Sequence, residues 1–425
     1  MNKHFGRALL VAALTAGGPA LQAQTAPDPS ASPQDAVARL ERELAELRRE
    51  YSDRLASIEA QIQALRAAAE KPETPAAPAP ETPPPASPAE TPPSLAPTGL
   101  AASSSKVFNP DIAAIGNFVG AAGRSPGGGE PSLNMQEGEF SFQAVVDPYA
   151  RADFFVTVGP EGAGLEEGYL TFPTLPGGFL TKVGKMRDVF GKVDQQHAHT
   201  LPWVDRPFVT KNLTGGEDGL ADAGISVARL IPNPWLFLEA TGQVYQGNSE
   251  VFKAPTRGDL AYVGHLRAYQ DLGESTNIDL GGSIAYGHNG VTDDTTTRLL
   301  GVDATLRWKP LRRSIYTHFL ARGEVTWSRA GEADGTQSAV GGYGYLEYQF
   351  GRRWTAGLRY DNSEQANTPW LRDTGGSFIL TFKPSEFSLV RAQYRRTTFA
   401  GADRPENELL FQFLFAIGAH GAHPF

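Results

Sequence analysis

From about residue 106 to the end of the chain, apolar and polar residues alternate with a period of two. In the segment Glu139–Val146, Phe140 and Phe142 fall on one face while glutamate, serine and glutamine fall on the other. The segments Arg298–Lys309 and Ile315–Ser328 repeat this alternation over longer stretches. Successive side chains of a strand point to opposite faces, so the pattern predicts long β-strands with one apolar and one polar face.

Sixteen candidate strands can be placed between Asp111 and Ile417. Short connections rich in proline and glycine alternate with longer ones, among them Gln246–Pro255, Ser328–Gln337 and Arg187–Ala221. An even number of strands with short turns at one end is typical of transmembrane barrels. The last strand, Leu409–Ile417, would be an aggregation hazard in water, but in a closed barrel its apolar face can contact lipid. We therefore expect an all-β transmembrane barrel of about 16 antiparallel strands over residues 106–425, with Trp308, Trp327 and Trp354 in aromatic belts.

The first hundred residues follow other patterns. Residues 1–23 have a basic start, a short apolar core and small residues before a cleavage point, as a secretory signal peptide does. Residues 34–70 carry apolar residues at heptad spacing, including Leu44 and Ile58, and predict a coiled-coil helix. Residues 71–105 contain eleven prolines between Pro72 and Pro97, which predicts a disordered, extended linker before the barrel.

Composition excludes several classes of protein. The chain has no cysteine, so disulfide bonds and a lipid-modified cysteine are excluded. Its net charge of −9 argues against nucleic acid as a partner, because phosphate backbones attract basic surfaces. No apolar run after the signal peptide is long enough for a membrane-spanning helix, so membrane insertion would be through strands. No cofactor is expected.

With its export signal, sixteen alternating strands and terminal Phe425, the chain resembles the Gram-negative outer-membrane porin superfamily. The helix and proline-rich linker before the barrel further resemble the trimeric porins with a periplasmic helical extension, such as the phosphate-selective and DcaP-like groups. The resemblance implies a homotrimer in outer-membrane lipid, with the helix in the periplasm. It also implies assembly by the barrel-assembly machinery through Phe425, and a water-filled channel for passive diffusion of small polar solutes or ions. An enzyme is not expected.

In porins the connection after the fifth strand folds into the barrel, and the resemblance implies this for Arg187–Ala221. That segment contains Trp203 and Phe208 as wall anchors and Glu217 and Asp218 as an acidic cluster. The arginines predicted to face this cluster lie at inward positions of later strands: Arg307, Arg322, Arg359, Arg391 and Arg395. Opposed charges across a narrow pore create a transverse field that selects solutes by size and charge. Alternatively, these arginines are solvated lumen residues paired with strand carboxylates at Asp303, Glu324, Glu347 and Asp361.

Two pairs of histidines raise the question of a metal site. His197 and His199 lie near Asp194 and Asp205, and imidazole and carboxylate groups suit zinc or nickel. Their spacing fixes no third or fourth ligand, so we expect a polar loop without a metal. His420 and His423 are interpreted in the same way, as interfacial side chains.

Two other functions stay open. One is a structural role, in which the helix over residues 34–70 links the outer membrane to the cell wall, alone or together with transport. The other is a barrel hydrolase, which is less favoured because no serine and histidine lie close together in the sequence on a lipid-facing row. The sequence does not reveal which solute or ion would pass.

Overall fold

The computed structural model describes residues 110–124, 131–160, 162–216 and 219–418. The predicted signal peptide, coiled coil and linker lie outside the described residues, as do His420, His423 and Phe425. The described part forms sixteen strands: Asp111–Gly123 (β1), Asn134–Asp147 (β2), Ala150–Gly159 (β3), Gly162–Leu175 (β4), Phe179–Met186 (β5), Asp222–Leu230 (β6), Phe237–Tyr245 (β7), Ala261–Gly273 (β8), Thr276–His288 (β9), Thr296–Trp308 (β10), His318–Glu332 (β11), Gly335–Gln349 (β12), Trp354–Gln365 (β13), Thr368–Ser385 (β14), Ser388–Thr398 (β15) and Glu406–Gly418 (β16).

Each strand pairs antiparallel with its sequence neighbours, and β1 pairs with β16 to close the barrel. At this seam Ala113 lies opposite Gly418 and Gly120 lies opposite Phe411. The Phe411 ring covers Gly120 so closely that an added Cβ would stand 2.1 Å from the ring. Closure satisfies the backbone hydrogen bonds of both end strands, so no free edge remains. The predicted closed barrel of sixteen antiparallel strands is confirmed.

The two faces of the strands differ as the sequence pattern predicted. In β16, Leu409, Phe413 and Ile417 are exposed on the outer face, while Glu408 and Gln412 are buried inside the barrel. In β10, Leu300 and Val302 point outward and Asp303 points inward. The outer surface is thus apolar and the inner surface polar, which is the arrangement a strand needs between lipid and water.

The two ends of the barrel differ in their connections. Connections of two to six residues join each even-numbered strand to the next odd-numbered one, except that the longer β10 to β11 connection contains the 3-10 helix Leu311–Arg313. The longest connections, β5 to β6 and β7 to β8, lie at the other end. Trp308 ends β10 and Trp354 begins β13, both at the short-turn end, whereas Trp327 lies toward the other end of β11.

One predicted long connection, Ser328–Gln337, is wrong. Strand β11 continues to Glu332 and β12 begins at Gly335, so only a tight turn separates them. Polar residues there still form ladder pairs, such as Arg329 with Ser338. A hydrophilic segment can continue as a strand when a partner strand forms hydrogen bonds with its backbone N–H and C=O groups. Among the described residues, no helix is long and apolar enough to span a membrane.

Candidate functional site

Residues 187–221 connect β5 to β6, and the described part of this connection, residues 187–216 and 219–221, lies inside the barrel. It contains the 3-10 helix Ala198–Thr200 and the short α-helix Phe208–Leu213 (α1). We call residues 187–221 the inner loop. Its apolar side chains are buried rather than solvated: Phe190, Val193 and Trp203 are all 0% exposed. The loop is therefore a packed element with a core of its own inside the barrel.

Two apolar clusters hold the inner loop against the barrel wall. Phe190 packs among inward residues that include Ala285 and Leu299, and Trp203 packs edge-on against Tyr343 and Tyr345. The Phe190 ring also requires Gly301, because an added Cβ at that position would stand 2.9 Å from it. These apolar wall residues are exceptions to the polar inner surface usual in a transmembrane barrel, because they face the loop and not water.

A buried carboxylate, Asp205, anchors the middle of the inner loop. It accepts hydrogen bonds from Arg359 on β13 through both of its oxygens, each at 3.0 Å, and one from Arg395 on β15 at 2.6 Å. Arg359 also lies over the Trp203 ring, 5.0 Å from its centre, and bonds to Asp361. Burial would raise the pKa of Asp205, but the two guanidinium groups hold it well below its usual value.

Two other arginines bind the loop through uncharged oxygens. Arg391 on β15 donates to the backbone carbonyls of Leu201 and Trp203, at 2.8 and 3.2 Å, and to the side chain of Gln412. Arg322 on β11 donates to the side chain of Gln196 at 3.2 Å. These guanidinium groups form hydrogen bonds to the loop across the lumen. They therefore fix the position of the loop and also contribute to the electric field of the pore.

Inward polar residues of the strands also receive backbone N–H groups of the inner loop. Gln243 on β7, Ser283 on β9 and Glu324 on β11 accept from three backbone N–H groups near the start of the loop. Gln393 on β15 accepts from the amide of Val204 at 2.9 Å. A backbone segment without regular secondary structure needs such partners when it is buried. The contacts are spread around the wall, so the loop crosses the lumen.

Near the 3-10 helix, His197 and His199 face glutamates of β2 and β4. His197 contacts Glu139 through Nδ1 and Glu167 through Nε2, both at 2.7 Å. Although burial would lower the pKa of His197, its hydrogen bonds to Glu139, Glu166 and Glu167 raise it well above the usual value.

The structure places the arginines of the sequence-predicted site as follows. Arg322, Arg359, Arg391 and Arg395 contact the inner loop, whereas Arg307 lies in a more open part of the lumen, 3.8 Å from Asp279. Of the strand carboxylates considered as alternative partners, Asp361 pairs with one of these arginines within the described ranges.

The predicted acidic cluster cannot be placed in the same way. Glu217 and Asp218 lie outside the described residues. Asp205, which the sequence suggested only as a metal neighbour, is the loop carboxylate that the arginines bind. No local signal distinguishes Asp205 from the other loop carboxylates; its pairing depends on how the loop crosses the barrel.

A cavity of about 770 Å³ lies between the inner loop and the short-turn end of the barrel. Its floor includes His199 and Pro202 of the loop, and its wall includes the ends of β10, β14 and β15. Five basic residues and two acidic ones line it: Arg307, Lys309, Arg322, Lys383 and Arg391 against Glu347 and Glu386. This vestibule therefore carries an excess of positive charge.

No protein-family model matches the chain. An uncharacterized protein of Aquifex aeolicus (strain VF5) is 29% identical over 339 residues, which is 69% of this chain and 70% of that protein. Among solved structures, the anion-selective porin from Comamonas acidovorans aligns with a TM-score of 0.51 at 11% identity, covering 73% of this chain and 99% of that one. OprB of Pseudomonas putida aligns with a TM-score of 0.50 at 10% identity, covering 74% and 95%.

Proposed function

We propose that the protein is an outer-membrane porin that forms a narrow water-filled channel for passive diffusion of small polar solutes and ions. The fold that this chain shares with the two solved structures supports the proposal. The observation that carries the proposal is a lumen lined by charged residues and narrowed by a loop that many of those residues bind. A lumen that is polar and crossed by an anchored loop suits size-selective passage.

The vestibule further suggests which ions pass more easily. Its five basic residues exceed its two acidic ones, and a positive potential in a low-dielectric passage raises the local concentration of anions. We infer a preference for small anions. The name of the Comamonas porin, anion-selective, describes that protein and agrees with this inference.

The remaining parts of the proposal come from the sequence. We infer that the helix over residues 34–70 associates into a periplasmic coiled coil, as in the phosphate-selective and DcaP-like porins that it resembles, and that the barrel is a homotrimer. Phe425 would direct the chain to the barrel-assembly machinery. The same helix could also contact the cell wall without interfering with transport.

The proposal is tested by planar-bilayer recording on the full-length, folded protein. We expect stepwise single-channel conductance, and a reversal potential of anion-selective sign in a potassium chloride gradient. The double variant Arg307→Gln, Lys309→Gln should shift the reversal potential toward that of a cation-selective pore. Both residues line the vestibule without binding the loop. The matched control is Lys253→Gln with Arg257→Gln, which removes two charges from an exposed connection at the opposite end. Absence of conductance from folded protein would refute the channel, and an unshifted reversal potential would refute the role of the vestibule.

A further inference from the structure

A group of metal-ligating side chains lies where the inner loop meets β2 and β4. His197 and His199, at the 3-10 helix of the loop, stand beside glutamates that point inward from the two strands. One ligand atom each from Glu139, His197 and His199 lies within 4.8 Å of the others. A second overlapping group consists of Glu137, Glu139 and Glu166. The carboxylates near the histidines thus come from the barrel wall and not from Asp194 or Asp205.

Three of the four separations between these atoms come within about 0.2 Å of those around a tetrahedral ion. Zinc bonds to nitrogen and oxygen of about 2.0–2.2 Å put neighbouring ligands roughly 3.3–3.6 Å apart. Nδ1 of His199 is 3.7 Å from Oε2 of Glu139 and 3.8 Å from Oε1 of Glu137. Nδ1 of His197 is 3.4 Å from Oε2 of Glu166. The exception is the 2.7 Å contact between His197 and Glu139, which would lengthen by less than about 1 Å when an ion replaces the shared proton.

The charges at this place favour a cation. Four glutamates surround the two histidines: Glu137, Glu139, Glu166 and Glu167. One nearby cation, Arg187, forms an ion pair with Glu166. Glu139 is 1% exposed, and its Oε1 atom has no hydrogen-bond partner in the described part of the chain. A buried carboxylate oxygen without a donor is costly unless a cation satisfies it.

We propose that Glu139, His197 and His199, with Glu137 or Glu166 as the fourth ligand, bind one divalent transition-metal ion such as Zn²⁺. Two imidazoles with one or two carboxylates are a ligand set that suits zinc, cobalt and nickel, whereas calcium and magnesium prefer oxygen alone. The bound ion fixes the 3-10 helix of the inner loop to β2 and β4. It thereby gives the inner loop a second attachment, at strands other than β13 and β15, which hold Asp205.

An ion can reach this site from water. His199 lines the vestibule, which is open toward the short-turn end of the barrel. The side chains of Glu137 and Glu166 keep 14% and 12% of their exposure, so the edge of the site is hydrated. The site is thus accessible in the folded barrel and does not require unfolding for loading.

The test uses full-length protein in detergent, stripped with a chelator and then titrated with Co²⁺ and Zn²⁺. We expect one equivalent of metal per chain, with visible Co²⁺ absorption bands of tetrahedral intensity that Zn²⁺ abolishes. His199→Gln and Glu139→Gln should each weaken binding at least tenfold. The matched control is His318→Gln, which removes a lumen histidine bonded to a single glutamate, Glu347, at 3.0 Å. A difference in electrophoretic mobility between heated and unheated samples verifies that each variant is folded.

Several results would overturn the proposal. One is the absence of saturable binding at one equivalent; another is binding that His199→Gln and Glu139→Gln leave unchanged; a third is an equal loss in His318→Gln. The proposal would also be overturned if the anomalous signal of zinc in a crystal lay away from Glu139, His197 and His199. Metal binding is measured without conductance, so the channel and the metal site can fail independently of each other.

Discussion

At the scale of single residues, Asp205 carries more of the candidate site than any charge that the sequence singled out. It binds two arginines from strands β13 and β15, and Gln393 also donates to it at 2.5 Å. Removing one partner of a buried ion pair costs roughly 3–5 kcal/mol when the remaining charge is left without compensation. Here Asp361 and Glu408 would still face the two arginines, so the cost is smaller. The inner loop is therefore held by an interaction that a single substitution can weaken.

Asp205→Asn is expected to loosen the loop while leaving the barrel intact. Arg359 and Arg395 would keep their strand carboxylates but lose the charged loop carboxylate that both bind, so the loop would be held less firmly at β13 and β15. Single-channel recordings should then show larger and noisier conductance. Asp293→Asn, on the exposed connection between β9 and β10, is the matched control and should behave as the unaltered protein does. An Asp205→Asn channel with unchanged conductance and noise would contradict the anchor.

The lowered pKa of Asp205 predicts how this anchor responds to acid. Because its folded pKa lies below the ordinary value of 3.8, the stabilisation is complete above that value and is lost as the pH falls through the folded pKa. We expect conductance to become noisy only well below pH 4, and to recover when neutral pH is restored. In Asp205→Asn this acid transition should be absent. If the unaltered protein and Asp205→Asn showed the same acid transition, that transition would come from other carboxylates.

The arginines that bind the loop are unsuitable as simple probes of selectivity. Arg391 and Arg395 were expected to set the field of the pore, but both hold inner-loop atoms by hydrogen bonds. Substituting them would change the width of the pore together with its charge. Arg307 and Lys309, which line the vestibule away from these contacts, separate the two effects.

At the scale of elements, the inner loop is an insertion between two strands that already pair. Met186, the last residue of β5, lies opposite Asp222, the first residue of β6. A tight hairpin turn could therefore join these strands without altering the sheet. The pairing of β5 with β6 does not itself require the loop, so the sequence of residues 187–221 can shape the lumen.

Replacing residues 187–221 with a two-residue Asn-Gly turn should widen the pore. We expect single-channel conductance to rise severalfold and larger solutes to enter liposomes, because the packed loop and its apolar core are gone. The same replacement for residues 289–295, between the paired residues His288 and Thr296, is the control and should change little. Equal conductance in the two variants would show that the inner loop does not limit flow.

At the scale of the whole molecule, barrel closure and the proposed oligomer depend on different parts of the chain. Closure joins β1 to β16, strands from opposite ends of the barrel sequence. Such long-range pairing is slow to form and leaves edges exposed until it is complete. The proposed trimer depends on the heptads at residues 34–70, which lie outside the described residues.

Leu44→Asp with Ile58→Asp should lower the melting temperature of the detergent-solubilised oligomer. Both residues occupy the apolar seam of the predicted coiled coil, where a charge would be buried between helices. The control, Ala45→Asp with Ala60→Asp, adds the same charges outside the seam. If both variants melt as the original does, the helix does not hold the oligomer together, and a contact with the cell wall becomes the better explanation.

The sequence by itself determined the barrel, its strand number, the faces of the strands and the position of the long connection. These features follow from local periodicity, because a strand between lipid and water must alternate at every residue. Period two is also why the inward positions of Arg359, Arg391 and Arg395 could be predicted from their neighbours.

Only the tertiary structure decided which groups meet inside the barrel. Asp205 and Arg359 are 154 residues apart in the sequence, and His197 lies 58 residues from Glu139. Inward apolar residues such as Leu299 and Ile379 were missed because their partners belong to the loop and not to a neighbouring strand. Pairing across the lumen depends on how a folded loop fills a closed barrel, and no short-range pattern records that geometry.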